Sequence, residues 1–305
     1  MAKLIGESLF SSLLLGRWQQ DDWWDCPLYR CKFRLKTLIN PITTVQYIKK
    51  LSELDDAKLI IEKRPFVPTK LQRPYLHKRL GVKDRANAIV HHYYFIQHLI
   101  NPNLKSALLS DQACLLADFK GKDDIDFTMT CMPSKYDKEG EITLTLNFEH
   151  ITVANLSFTF ICHNHQSIAY IAGLQGAGAN EQDIIKKATK ACYGLFPKRV
   201  LYEGFCALMK LCGISVIHAV SNDVHIYKQW RYRSKKQHKF MANYDEFWCS
   251  LNGHAIEHGY QLPIAVPRKL IEEISSKKRS EYRNRYTLLD QINSQIEYRF
   301  NIKQK

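Results

Sequence analysis

Between Gln175 and Asn180 the chain reads QGAGAN, a loop of small residues between the apolar SIAYIAGL and the basic, amphipathic EQDIIKKATK. Small residues let backbone amides close on a phosphate, and a helix start adds free N–H groups and partial positive charge. Gln175, Gly176, Ala177 and Gly178, with Ala179 behind them, are therefore candidates to hold a phosphate-bearing ligand. The same composition also serves a bare strand-to-helix turn. A second helix start, YGLFPKRV, has a single glycine, Gly194, but supplies charge through Lys198 and Arg199. With Lys190 these cations could grip a phosphate, or they could line a solvated helix face.

Acid–base candidates come next. In AVSNDVH, Asn222 and His225 fall at the C-terminal end of a short apolar run, where open α/β sheets gather ligands. His225 could act as a general base, because an imidazole titrates near neutrality. Alternatively, Asn222 caps a turn and His225 bonds to backbone. In NYDEFWCSLNG, Tyr244 could donate a proton and Asp245 or Glu246 could exchange one. The structural alternative makes Asp245 a helix N-cap, with Phe247 and Trp248 in the core. Cys162, His163 and His165 lie in a turn and lack the further ligands a metal needs, so no metal is expected. The sequence has no serine nucleophile elbow, Walker loop or zinc-protease helix. SSKKRSEYRNRY, with Lys277, Lys278, Arg279, Arg283 and Arg285, could meet nucleic acid or anionic headgroups. It could equally be a charged helix packed through Tyr282, Tyr286 and Leu289.

These residues must be positioned by a well-packed chain. Its 305 residues are 45% hydrophobic and 11% aromatic, which excludes a disordered protein. A net charge of +14 suits an acidic partner: nucleic acid, an anionic membrane surface or a phosphate-bearing small molecule. Nine cysteines without a C-x-x-C pair read as reduced thiols in a cytoplasmic protein. MAKLIGESLFSSLLLG does not read as a signal peptide. No run approaches the roughly 20 apolar residues of a spanning helix, so any membrane contact is expected to be peripheral.

The elements follow from periodicity. Residues 1–110 read as a mainly helical region; Val45, Ile48 and Leu51 share one side of TTVQYIKKLSEL, and Pro65, Pro68 and Pro74 interrupt the helices. From 114 to 175 the pattern is that of antiparallel strands. In EITLTLNFEH, Ile142, Leu144, Leu146 and Phe148 take one face and Thr143, Thr145, Asn147 and Glu149 the other. After Gln175 the period becomes 3.6, with Ile184, Ile185, Ala188 and Ala191 aligned. A second helix has Pro197 in its first turn and Gly213 at its C-terminal cap. ISVIHAVSN is then a short buried strand, and from Pro267 the chain reads as one long charged helix. The predicted fold is α+β, with a mixed, largely antiparallel sheet. It divides into a helical region, 1–110, and an α+β domain, 111–305.

RPYLHKRLGVKDR, AYIAGLQG, ATKACYGLFPKRVL, VSNDVH, YDEFW, SKKRSEYRNRY and LLDQI, in that order, resemble the VirK/YbjX family of enterobacteria, from about Tyr29 to Gln295. That resemblance implies a role in virulence and in tolerance of antimicrobial peptides through the cell envelope, without a reaction. The strand, small-residue loop, helix and strand ending in VSN are also similar to the core of the GNAT acyl-CoA N-acyltransferases. This likeness implies a strand that splays from its neighbour, with acyl-CoA in the gap and its pyrophosphate at the following helix start. The donor would be acyl-CoA and the acceptor an amine on an envelope precursor or protein. Two features depart from GNAT custom: the loop is poor in basic residues, and two helices, not one, follow it. A binding protein for RNA or an anionic membrane surface is the alternative reading.

Overall fold

The computed structural model describes residues 6–17, 22–178, 182–228 and 243–301. Ala179 and Asn180, at the end of the expected phosphate loop, lie outside them. The N-terminal region is helical: α1 (Gly6–Leu15), α2 (Asp22–Asp25), α3 (Pro27–Ile39), α4 (Pro41–Ser52), α5 (Ala57–Lys63), α6 (Val67–Lys70), α7 (Val82–Gln97) and α8 (Pro102–Leu109). Pro27, Pro41 and Pro102 sit in first turns, where a missing N–H costs nothing. Pro68 does the same, so the proline-rich connection holds one short helical turn, α6. On α4 the buried side is Thr44, Tyr47, Ile48 and Leu51; Val45, expected with them, is exposed.

Eight strands form one sheet: β1 (Cys114–Lys120), β2 (Asp126–Pro133), β3 (Ile142–Phe148), β4 (Ile151–His163), β5 (Gln166–Gly176), β6 (Ile217–Val220), β7 (His254–Ile256) and β8 (Gly259–Leu262). Their order is β1-β2-β3-β4-β5-β6-β8-β7. Neighbours from β1 to β5 are antiparallel, β5 and β6 are parallel, and β8 returns antiparallel beside β6. The α+β class and the mixed, largely antiparallel sheet are as the sequence predicts. Both faces of β3 are buried. Its polar row is satisfied across strands, Thr143 with Ser157 at 2.8 Å and Thr145 to Asn155 at 2.8 Å.

The crossover from β5 to β6 carries α9 (Gln182–Ala191) and α10 (Pro197–Leu211). Pro197 is at the start of α10, and Gly213 ends it with φ +72°; Ile214 N–H returns to Met209 O at 2.9 Å. Helix α10 lies on the apolar face of the sheet, where Phe205 meets Phe158 edge-on at 5.0 Å. Helix α11 (Tyr244–Ser250) follows β6, and α12 (Ser276–Asn301) runs along α10 and β1. The sequence misplaces two features here. HAIEHGYQL is the β7–β8 hairpin, and the C-terminal helix begins at Ser276, after a 3₁₀ turn at Ile271–Glu273, not at Pro267. Three- and four-residue strands are too short for periodicity to separate from loop. One apolar core runs from Leu9 in α1 to Phe300 in α12.

Candidate functional site

Strands β5 and β6 pair only at Ala169–Ile171 with Ile217–Ala219, yet β5 continues to Gly176. Past Ile171 the backbone of β5 on that side needs other partners. Leu174 N–H donates to Tyr244 Oη at 3.2 Å, and the His225 ring bonds to the Ala172 backbone. The two rings stack with centroids 5.0 Å apart and fill the gap that a longer β6 would occupy.

Tyr244 is held there by the end of β6. Asn222 Oδ1 accepts from Tyr244 N–H at 3.0 Å, Asn222 Nδ2 donates to Asn243 Oδ1 at 2.8 Å, and Asp245 Oδ1 accepts from Asn222 N–H at 2.8 Å. Asn243, not Asp245, caps α11, accepting from Glu246 N–H at 3.2 Å. Trp248 is buried and donates to Val220 O at 2.8 Å. The His225 backbone bridges to His77, and its Nδ1 accepts from Tyr227 N–H at 3.3 Å.

A cavity of about 1190 Å³ opens beside this pair. Its two walls are chemically different, because consecutive β5 residues face opposite ways. Gln175 shares a face with Asn155 and Thr145, and its Nε2 donates to Glu139 Oε2 at 2.9 Å. Glu139 Oε1 lies 3.9 Å from His225 Nε2, with both side chains buried. The carboxylate rests against Gly173, where a Cβ would come within 2.0 Å of Glu139 Oε2. Gly140 (φ +151°) aims it, passing so close to Phe158 that a Cβ there would meet Phe158 O at 2.5 Å. Gly176 faces the other wall, where a Cβ would stand 3.5 Å from Lys198 Cε and 3.9 Å from Ile185 Cδ1. That wall carries the start of α10, with Phe196, Lys198 and Arg199.

Burial lowers the Lys198 pKa, and Lys198 has no ion-pair partner among the described residues. Arg199 is paired, its Nη2 being 2.8 Å from Glu203 Oε1. Burial takes His225 from 6.5 to about 3, against the opposing effect of its bond to Ala172, so the ring is neutral at neutral pH. Burial, then the charge of Glu139, pushes the Tyr244 phenol up, so it keeps its proton.

A family model described as "Protein of unknown function (DUF535)" matches residues 23–298. The chain belongs to the DUF535 family. The "Uncharacterized protein YbjX" of Escherichia coli (strain K12) is 38% identical over 293 residues, 95% of this chain and 88% of its own, as the VirK/YbjX resemblance implies. An "Uncharacterized protein" of Haemophilus influenzae (strain ATCC 51907 / DSM 11121 / KW20 / Rd) is 31% identical over 220 residues, 72% of each chain. No solved structure matches.

In this DUF535 chain, Gln175, Gly176, Ala177, Gly178, Lys198, Arg199, His225 and Tyr244 line one cavity, though Gln175 and Tyr244 are 69 positions apart in sequence. Asn222 and Asp245 stand behind it and position Tyr244. Lys190 is exposed on α9, outside the cavity wall. With its pKa near 3, His225 is a poor general base. Sequence reasoning passed over Glu139, Tyr136, Tyr227 and Phe247 as wall residues. Glu139 lies in SKYDKEGE, which reads as a solvated turn; no local signal marks it for burial.

Cys162 and His163 end β4, and His165 is in the β4–β5 turn, where Asn164 and His165 take φ +48° and +62°. No metal-binding cluster occurs among the described residues. Arg279 donates to Ile274 O at 2.9 Å, tying the start of α12 to the turn before it, and Arg285 donates to Tyr193 O at 2.7 Å, fastening the helix to the domain. Lys277, Lys278 and Arg283 are exposed. No helix among the described residues is long and apolar enough to cross a membrane.

Proposed function

We propose that this protein is a GNAT-like acyltransferase that takes an acyl group from acyl-CoA and delivers it to an amine of an envelope precursor or protein. The observation that carries the reading is the early end of β6 beside β5, with His225 and Tyr244 in the gap and a cavity with one cationic and one acidic wall next to them. A helical crossover joins these parallel strands, although it carries two helices where the GNAT core has one. The role implied by the VirK/YbjX likeness, in the envelope and in tolerance of antimicrobial peptides, fits an acceptor of this kind.

The wall fits coenzyme A in charge and space. Lys198 and the uncapped start of α10 suit a phosphate, Gly176 leaves room, and Ile185, Leu195, Phe196 and Phe247 suit an acyl chain. When bound, the thioester would supply an activated acyl group. On the other wall, Glu139 could take the proton an attacking amine must lose, with Gln175 fixing the carboxylate through its Nε2 at 2.9 Å. Tyr244, which keeps its proton, could donate a hydrogen bond to the leaving sulfur, which departs as a thiolate and takes its proton from solvent. Leu174 N–H is already engaged by Tyr244, so it is not available to polarise the acyl carbonyl.

Calorimetry and thermal shift with coenzyme A and acyl-CoAs test the reading. Binding to the native state raises stability by about 2.7 kcal/mol at a hundredfold excess over Kd. Lys198→Gln should weaken binding about tenfold by removing a charge-assisted contact. Glu139→Gln should leave binding in place and abolish transfer to an amine. Millimolar coenzyme A without heat or a change in melting would end the donor assignment.

A further inference from the structure

Helix α3 carries apolar residues on two opposite faces. Phe33 and Thr37 are buried beneath it. At about 100° per residue, Leu35 lies roughly 180° from their midpoint, with Leu28, Leu38 and Ile39 beside it. Leu28, Leu38 and Ile39 are 81%, 76% and 76% exposed, and after the Asn40 corner Ile42 of α4 is 72% exposed. Leu35 and Val45 extend the ridge. Single exposed aliphatics are ordinary, but a continuous row of them marks a docking surface.

The charge around the ridge selects its partner. From Cys26 to Lys50 the chain holds Arg30, Lys32, Arg34, Lys36, Lys49 and Lys50 and not one acid. On the helical wheel Arg30 and Arg34 flank the ridge on one side, and Lys32 and Lys36 on the other. Lys32, Lys49 and Lys50 are exposed and lack ion-pair partners among the described residues. A row of aliphatics edged by cations matches an anionic bilayer: the side chains enter the acyl boundary and the cations reach headgroup phosphates. The 13 residues of α3 are too few to span, so the helix would lie in the plane of the surface.

We propose that α3 and the start of α4 form an interfacial docking ridge that seats this protein on an anionic membrane surface. The inference is independent of the acyltransferase reading, and it assigns membrane contact to α3 and α4 and not to the basic C-terminal helix.

The full chain should float with vesicles of phosphatidylglycerol and phosphatidylethanolamine and not with phosphatidylcholine alone. Leu38→Asp with Ile39→Asp and Ile42→Asp should reduce flotation about tenfold or more with unchanged melting, since the side chains are exposed. Lys32→Glu with Lys49→Glu and Lys50→Glu should reduce it about tenfold. Lys277→Glu with Lys278→Glu and Arg283→Glu should leave it unchanged. The proposal is overturned if the wild-type chain stays with the unbound fraction, or if the Leu38/Ile39/Ile42 variant floats as well as wild type. It is also overturned if light scattering shows a dimer that this variant splits while vesicle binding persists, because the ridge would then join two copies of the chain.

Discussion

Lys70 Nζ stands 2.6 Å from Glu141 Oε1, with both side chains buried where the N-terminal helices meet the sheet. Tyr75 and Tyr93 each donate to Glu141 at 2.7 Å, and Lys70 also donates to Gly140 O at 3.2 Å. This network grips Gly140 and Glu141, the two residues after Glu139, and so fixes the backbone that presents Glu139 to the cavity. Removing one partner strands the other charge. Lys70→Met should therefore cost about 3–5 kcal/mol, and the double variant with Glu141→Gln should cost less than Lys70→Met alone. Urea denaturation of Lys70→Met, Glu141→Gln and the double variant checks this; a double-variant loss equal to the sum of the two single losses would show that the charges act independently.

Acid should unfold the protein in two overlapping steps. Burial takes His92 and His225 from 6.5 to about 3. Below pH 6.5 the unfolded chain binds protons that these native rings refuse, so stability falls with pH by up to about 1.4 kcal/mol per unit for each ring until about pH 3. Glu141 adds to this lower down. Burial pushes its carboxyl up, but Lys70 and its hydrogen bonds prevail and hold it at about 2. Its contribution is complete above 4.5 and is lost as pH falls toward 2. Urea midpoints between pH 7 and 3 should decline steadily, and His92→Gln should flatten the decline. A flat profile above pH 5 would contradict the burial of both rings.

Gly173 and Gly176 lie in one strand but should tolerate alanine differently. A Cβ on Gly173 would collide with the Glu139 carboxylate, whereas one on Gly176 meets Lys198 Cε at ordinary contact distance. Gly173→Ala should cost about 1–3 kcal/mol through overpacking and displace Glu139. Gly176→Ala should melt like wild type. Thermal melts of the pair decide it; equal melting would show that Glu139 is free to move aside.

Asn222→Ala should lower stability, although Asn222 reads from sequence as a catalytic residue. It loses the bonds to Tyr244 N–H and Asn243 Oδ1, about 1–2 kcal/mol together after solvent exchange. Loosening of Tyr244 should also weaken ligand binding in the cavity. An unchanged melting temperature would return Asn222 to the list of residues that act on a ligand directly.

Local pattern was enough for much of this. The alternation in EITLTLNFEH marked β3, the 3.6-residue period marked α9 and α10, and Pro197 with Gly213 marked the limits of α10. These features depend on backbone geometry and side-chain period over a few residues, which sequence carries directly. The small-residue loop after β5 was visible for the same reason. The hairpin at His254–Leu262 was not, because its strands are shorter than a readable period.

The site itself was decided by tertiary structure. Gly140 and Gly173 admit a carboxylate that sequence alone assigns to a solvated turn, and a short β6 leaves backbone for Tyr244 and His225 to satisfy. The His225 type was evident, but its neutral state comes from burial by distant segments. The ridge on α3 divides the same way. Its aliphatics and cations stand in the sequence, but which face is left open depends on Phe33 and Thr37 being the pair that packs inward. Sequence determines which residues are near along the chain. Burial, and the choice of which apolar face stays exposed, belong to contacts between segments far apart in it.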